Sequence, residues 1–258
     1  MISSKHIYMD FGNTRLKVLI SDTLHHFDYQ EQFVHNLEQA LAGVQNTCSI
    51  YYSSVNIPKS ESVKRVLSDY TFISIESLLP INKHIDLSHV QGMGTDRILG
   101  VLGALLEFPP PFVTIDCGTM ITLNILSQSF TLLGGIILPG FNTMAKAAHN
   151  FTSALPLIHV FDKSEIYGKN TNTALQTGIV NACIGGIERS LQHLYDSETL
   201  PSHSPIIMTG GDGHFLYNTL MPKLKNVYYR EQLIINGMKF CAEATLKQGN
   251  DTDDSTTR

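Results

Sequence analysis

The chain lacks the marks of several large protein classes. Its 258 residues include four cysteines, Cys48, Cys117, Cys183 and Cys241, far apart and without a C-x-x-C pair. That pattern excludes a disulfide framework and a thiolate zinc site, and suits reduced, buried thiols. Eleven histidines contain no H-x-x-x-H pair, so no zinc ligand set is visible. No apolar run approaches the roughly 20 residues of a membrane helix. Met1-Ile-Ser-Ser-Lys-His6 has neither the apolar stretch nor the small-residue cleavage site of a signal peptide, so a soluble cytoplasmic protein is expected, with no membrane partner. Lysine and arginine form no block and the net charge is −5, which argues against nucleic acid or an anionic membrane as a partner. The P-loop pattern G-x-x-x-x-G-K-[ST], the dinucleotide pattern G-x-G-x-x-G and the hydrolase pattern G-x-S-x-G are all absent.

What is present is a hydrophobic fraction of 43%, enough for a core, and a length that bounds the chain at one large or two small domains. The informative feature is an internal repeat. His6-Ile-Tyr-Met-Asp10-Phe-Gly12-Asn13-Thr14 is an apolar strand ending in Asp-x-Gly and a polar residue, and Phe112-Val-Thr-Ile-Asp116-Cys-Gly118-Thr119 repeats it 106 positions later. Each is followed by an apolar/polar alternation, Arg15 to Leu19 and Ile121 to Ile125, so each reads as a β-hairpin. Two hairpins, each opening one half, predict a duplicated fold divided near Pro109-Pro110-Pro111: residues 1–111 and residues 112–258, the latter with a frayed tail from about 248.

Between the hairpins strands and helices alternate. Strands are predicted at Ser49–Ser53, Phe72–Ile75, Thr131–Leu138 and Pro205–Met208. Helices are predicted at Ser60–Asp69, from a Thr95 cap to about Glu107, through Met144 to His149, at Thr171–Leu194 and from Leu233 to about Lys247. Hairpins mixed with helices favour an α/β architecture with mixed sheets over a purely parallel one.

An Asp-x-Gly-Asn-Thr turn has a use in phosphate chemistry. Glycine admits close approach of the backbone, and the following N–H groups form an anion nest. Asn13, Thr14 and Lys17 add donors and charge, and Asp10 would hold Mg²⁺, which on phosphates takes one or two carboxylates. Asp-Gly and Gly-Asn are also ordinary hairpin turns; it is the repetition at matched strand ends that favours phosphate binding. Asp10-Phe11-Gly12 matches the magnesium motif of protein kinases, but ten residues leave no room for the elements that precede it there. Gly94-Thr95-Asp96-Arg97 opens a helix. Asp96 suits the helix dipole, and equally suits a base for a hydroxyl proton beside an arginine that clamps an anion. Thr209-Gly-Gly-Asp-Gly213 offers a backbone platform for a nucleotide, and Asn170 or Thr171 reads first as a helix cap. His149, His159 and His193 read as structural.

D-F-G-N-T-x-x-K at 10–17, G-T-D-R at 94–97, D-C-G-T at 116–119, G-G-I-I-L-P-G at 134–140, N-T-x-x-A at 170–174 and T-G-G-D-G at 209–213 stand in the order found in type III pantothenate kinases, which the chain resembles over about residues 6–240. The resemblance implies two ribonuclease-H-like halves of the acetate and sugar kinase/actin superfamily. It implies ATP-dependent phosphorylation of the terminal hydroxyl of pantothenate, the first step towards coenzyme A, and a homodimer. By the same resemblance Asp10, Gly12, Asn13, Thr14, Arg15, Lys17 and Thr119 would bind ATP, with Asp10 near Mg²⁺. Gly94, Thr95, Asp96, Arg97 and Thr171 would bind pantothenate, Asp96 would accept the proton, and Asp116 would hold the monovalent cation, K⁺ or NH₄⁺. Phe11 stands where the family more often has Ile or Val, and Leu87 where many members carry a pocket Tyr. Two other readings stand beside it: a non-catalytic regulatory protein on the same fold, and a kinase of another small hydroxylated acid.

Overall fold

The computed structural model describes residues 6–79, 84–158, 166–220 and 222–253. In chain order the elements are β1 (His6–Phe11), β2 (Arg15–Ile20), β3 (Thr23–Asp28), α1 (Phe33–Leu41), β4 (Ser49–Ser54), α2 (Ile57–Val66), β5 (Thr71–Ser74), a 3₁₀ turn (Ile75–Leu78) and α3 (Thr95–Leu105). There follow β6 (Phe112–Cys117), β7 (Met120–Leu126), β8 (Leu132–Pro139), α4 (Phe141–Asn150), α5 (Thr171–Asp196), β9 (Ile206–Thr209), α6 (Gly213–Leu220), β10 (Val227–Tyr229) and α7 (Leu233–Asp253).

These elements form two compact units, residues 1–107 with 232–258, and residues 108–231. The first holds a five-stranded sheet ordered β3-β2-β1-β4-β5, and the second one ordered β8-β7-β6-β9-β10. The two orders are the same: a three-stranded antiparallel meander, whose first strand pairs in parallel with the strand after the crossover. Such mixed sheets flanked by helices are the expected α/β architecture, repeated once.

The division differs from the expected one at residue 111. The last helix, α7, belongs to the first unit, where it packs against α3. The physical cause is close packing of two apolar helices, with Leu99 and Leu102 of α3 and Leu233, Ile234 and Met238 of α7 buried, and with Gly103 against Leu233 and Gly237 against Leu99. The backbone of α7 is helical to Asp253; the rest of the tail expected to fray lies outside the described residues. Once a helix is nucleated, each further residue adds a hydrogen bond at little cost.

In the first unit one face of the sheet buries Ile7, Met9, Phe11, Leu16 and Val18 with Leu37 of α1 and Val63 of α2. On the other face α7 packs against β1 and β4. Helix α2 starts earlier than predicted, since Asn56 caps it by accepting the Lys59 N–H at 3.4 Å, and Pro58 sits in its first turn where a missing N–H costs nothing. Strand β3, helices α1 and α6 and strand β10 are additions to the predicted elements. In the second unit Val113, Ile115, Leu123, Ile179, Ile187 and Met208 centre the core.

Candidate active site

Pairing register places Asp10 between Lys17 of β2 and Ser53 of β4, and Asp116 between Thr122 of β7 and Thr209 of β9. Residues in register across a sheet share a face. Each unit therefore carries a row of three polar side chains across its sheet, centred on the aspartate that closes the first strand. Asp10 is buried and Asp116 half-buried. The Ser53 hydroxyl, 1% exposed, has no hydrogen-bond partner within the protein. An oxygen orphaned beside a buried carboxylate fits a hydrated hard cation such as Mg²⁺.

The first hairpin tip, residues 12–14, exposes Asn13 and Thr14. Arg15 pairs with Asp28 across β2 and β3 at 3.4 Å. In the second hairpin the Thr119 carbonyl accepts the Gly140 N–H at 3.1 Å and the Thr143 hydroxyl. A Cβ on Gly140 would overlap the Gly118 carbonyl, so the start of α4 can reach this tip only through glycine.

The G-T-D-R segment opens α3, as predicted, but Gly94 rather than Thr95 is the cap residue. The Thr95 hydroxyl donates instead to Glu76 Oε1 in the 3₁₀ turn at 2.9 Å. Asp96 Oδ1 accepts the Arg97 backbone N–H at 2.9 Å, a donor it shares with the Gly94 carbonyl at 3.1 Å, and its charge suits the helix start. That fold-back requires glycine at 94, where a Cβ would lie 2.6 Å from the same oxygen. Burial lowers the Arg97 guanidinium pKa and the adjacent Asp96 charge opposes the shift; a guanidinium remains protonated throughout.

The T-G-G-D-G turn is more than a platform. Gly210 has φ +95°, and a Cβ there would overlap an Asp116 carboxylate oxygen and the Cys117 carbonyl. The Asp212 N–H donates to the Cys117 carbonyl at 3.0 Å, which brings a second acid to the end of β6. Burial, then the charges of Asp116 and Asp212, push the Cys117 thiol well above its ordinary pKa. It therefore stays protonated, and the donors left for a cation here are oxygens, which suits K⁺. Asn170 caps α5 in a reciprocal capping box with Thr173, leaving Thr171 exposed on the first turn. His149 Nδ1 donates to the Leu155 carbonyl, 2.8 Å away, a structural contact; His159 lies outside the described residues. Tyr29, Asn56 and Thr143 touch these segments without any motif to announce them. Among the described residues no group of three metal-ligating side chains occurs. A pocket of about 490 Å³ between His26 and Asn36 contains none of the predicted site residues.

Two mixed five-stranded sheets of one strand order, each with an acid near the end of its first strand, form the two-lobed α/β framework expected for the acetate and sugar kinase/actin superfamily. A sequence profile described as type III pantothenate kinase matches residues 6–193. The chain belongs to that family. Type III pantothenate kinase of Flavobacterium johnsoniae is 29% identical over 86% of this chain and 90% of its own. That of Akkermansia muciniphila is 28% identical over 93% and 99%. Among solved structures, a Campylobacter jejuni protein assigned to the Baf family of transcriptional activators superposes with a TM-score of 0.62 at 24% identity, over 93% of this chain and 99% of that one. At that identity the likeness shows the fold alone.

Proposed function

We propose that the protein transfers the γ-phosphoryl group of ATP to the terminal hydroxyl of pantothenate, giving 4'-phosphopantothenate and ADP, the first step towards coenzyme A. The observation that carries this reading is the family match over residues 6–193, which takes in both acid-ended hairpins and the G-T-D-R helix start.

Asp10, Gly12, Asn13, Thr14, Arg15, Lys17 and Thr119 bind ATP in this reading. Asp10, beside the orphaned Ser53 hydroxyl, would hold Mg²⁺ through water or directly, and Asp116 would hold K⁺ or NH₄⁺. These ions supply charge neutralisation at the phosphates. Gly94, Thr95, Arg97 and Thr171 bind pantothenate. Arg97 offers a fork to the pantothenate carboxylate. The Asp96 carboxylate accepts the hydroxyl proton as the substrate oxygen bonds to the γ-phosphorus and the bond to the β-phosphate oxygen breaks. Phosphoryl transfer has a loose transition state, so a weak base held in place suffices and positioning does most of the catalysis.

A homodimer belongs to the same proposal. Phe151, Ile166 and Tyr167 of the second unit are 88%, 93% and 69% exposed, apolar surface of the kind a partner subunit covers. So does a cytoplasmic location, with which four free, buried cysteines agree. Among the described residues no helix is long and apolar enough to cross a membrane.

The test is coupled ADP release across a panel of small hydroxylated acids, with K⁺ present and absent. Release should depend on pantothenate, on Mg²⁺ and on K⁺. Faster release with another acceptor would reassign the substrate.

A further inference from the structure

The tip of the first hairpin is held from outside at every carbonyl. The Tyr29 hydroxyl donates to the Gly12 carbonyl at 3.0 Å. The Asn56 side-chain amide donates to the Asn13 carbonyl at 3.4 Å. The Tyr29 backbone N–H donates to the Thr14 carbonyl at 3.5 Å. Neither residue belongs to the hairpin: Tyr29 follows β3, and Asn56 is the cap of α2.

Peptide planarity gives this arrangement a consequence. In a trans peptide the C=O of one residue and the N–H of the next point in opposite directions. Anchoring the carbonyls of Gly12, Asn13 and Thr14 fixes the planes of the peptides that carry the N–H groups of Asn13, Thr14 and Arg15, and so fixes the directions of those N–H groups. Tyr29 packs with Phe11 and Leu16, on the core face of the sheet. Asp10 and Lys17 alternate with those residues and lie on the opposite face. The clamp therefore holds the N–H groups of the tip in fixed directions before an anion is bound, as a preorganised site requires.

We propose that Tyr29 and Asn56 are positioning residues that hold the tip at 12–14 in its phosphate-binding form before the nucleotide arrives. The inference rests on the reading of residues 10–17 as the phosphate segment. Three further features fit. The phenol is pushed up in pKa by burial and then by the charge of Asp10, so it stays a donor at neutral pH. Its ring is fixed edge-on against Phe33, with centroids 5.2 Å apart, and Lys59 Nζ lies 5.3 Å from its centroid. The second unit repeats the device with other residues, the Gly140 N–H and the Thr143 hydroxyl both holding the Thr119 carbonyl.

Two variants separate this role from general stability. Tyr29→Phe removes one hydroxyl and keeps the ring and the backbone donor. Asn56→Ser keeps a cap for α2 but is too short to reach the Asn13 carbonyl. Each is titrated with ATP by calorimetry in the absence of pantothenate, and KM is then measured for both substrates. Losing the half-buried Tyr29 anchor should weaken ATP binding roughly five- to tenfold and losing the exposed Asn56 anchor about twofold, each in line with one hydrogen bond. KM for ATP should rise by the same factor, with KM for pantothenate unchanged. Wild-type affinity for ATP in both variants would overturn the proposal and leave the phosphate segment standing. Failure of the wild-type chain to bind ATP would overturn both. A parallel rise in both KM values would reduce the two residues to a structural role.

Discussion

Asp96 owes its position to its sequence neighbours. Gly94 clears the space into which its carboxylate folds, and the Arg97 N–H holds one of its oxygens. That leaves the second oxygen to meet a substrate hydroxyl. Asp96→Asn preserves the fold-back, because the amide oxygen still accepts, but removes the base. Turnover should fall by about 10²- to 10⁴-fold while ATP affinity stays within twofold, as single-turnover rates and nucleotide titration would show. Near-normal turnover would remove Asp96 from the base role. This residue is legible in the sequence because a glycine two positions before an acid at a helix start is a local signal. So are Asp10 and Asp116, whose matched strand ends repeat. Tyr29 and Asn56 are not, since both reach the hairpin through contacts separated by 17 and 43 positions in the chain. Asp212 is half legible: its glycine-rich turn is visible, but not that its N–H bonds the Cys117 carbonyl at the end of β6.

Among the elements, α3 and α7 are the pair on which the G-T-D-R segment depends. They cross with backbones in contact: a Cβ on Gly103 would overlap the Leu233 carbonyl, and one on Gly237 would overlap the Leu99 carbonyl. Both obstacles are helix backbone, which cannot swing aside as a side chain does. Gly237→Ala should therefore cost about 3 kcal/mol and lower the melting temperature by roughly 6 °C or more, read by thermal unfolding. Unchanged stability would mean that the two helices can separate freely. Apolar spacing reveals both helices in the sequence, but nothing there joins residue 103 to residue 237. A crossing of that kind is a tertiary fact. Strand β3 is obscured for a different reason. Thr23–Asp28 lies at the sheet edge with Thr23 and Asp28 exposed, so its alternation is diluted by polar residues.

For the molecule as a whole, duplication is the organising fact. One strand order serves both units, and each places an acid, a glycine and a hydroxyl residue at the same corner of its sheet. The repeat at 106 residues makes this readable from the amino-acid order alone, because the hairpins carry the same short pattern. The return of α7 to the first unit is hidden there, since helical periodicity does not say against which sheet a helix lies. The chemistry assigned to this frame is transfer of one phosphoryl group to one hydroxyl. It is tested most directly by mass spectrometry of the acceptor after incubation with ATP, Mg²⁺ and K⁺. Pantothenate should gain a single phosphate on its primary hydroxyl, with one ADP formed per product. ATP consumption at the same rate with and without pantothenate, and no phosphorylated acceptor, would contradict the assignment.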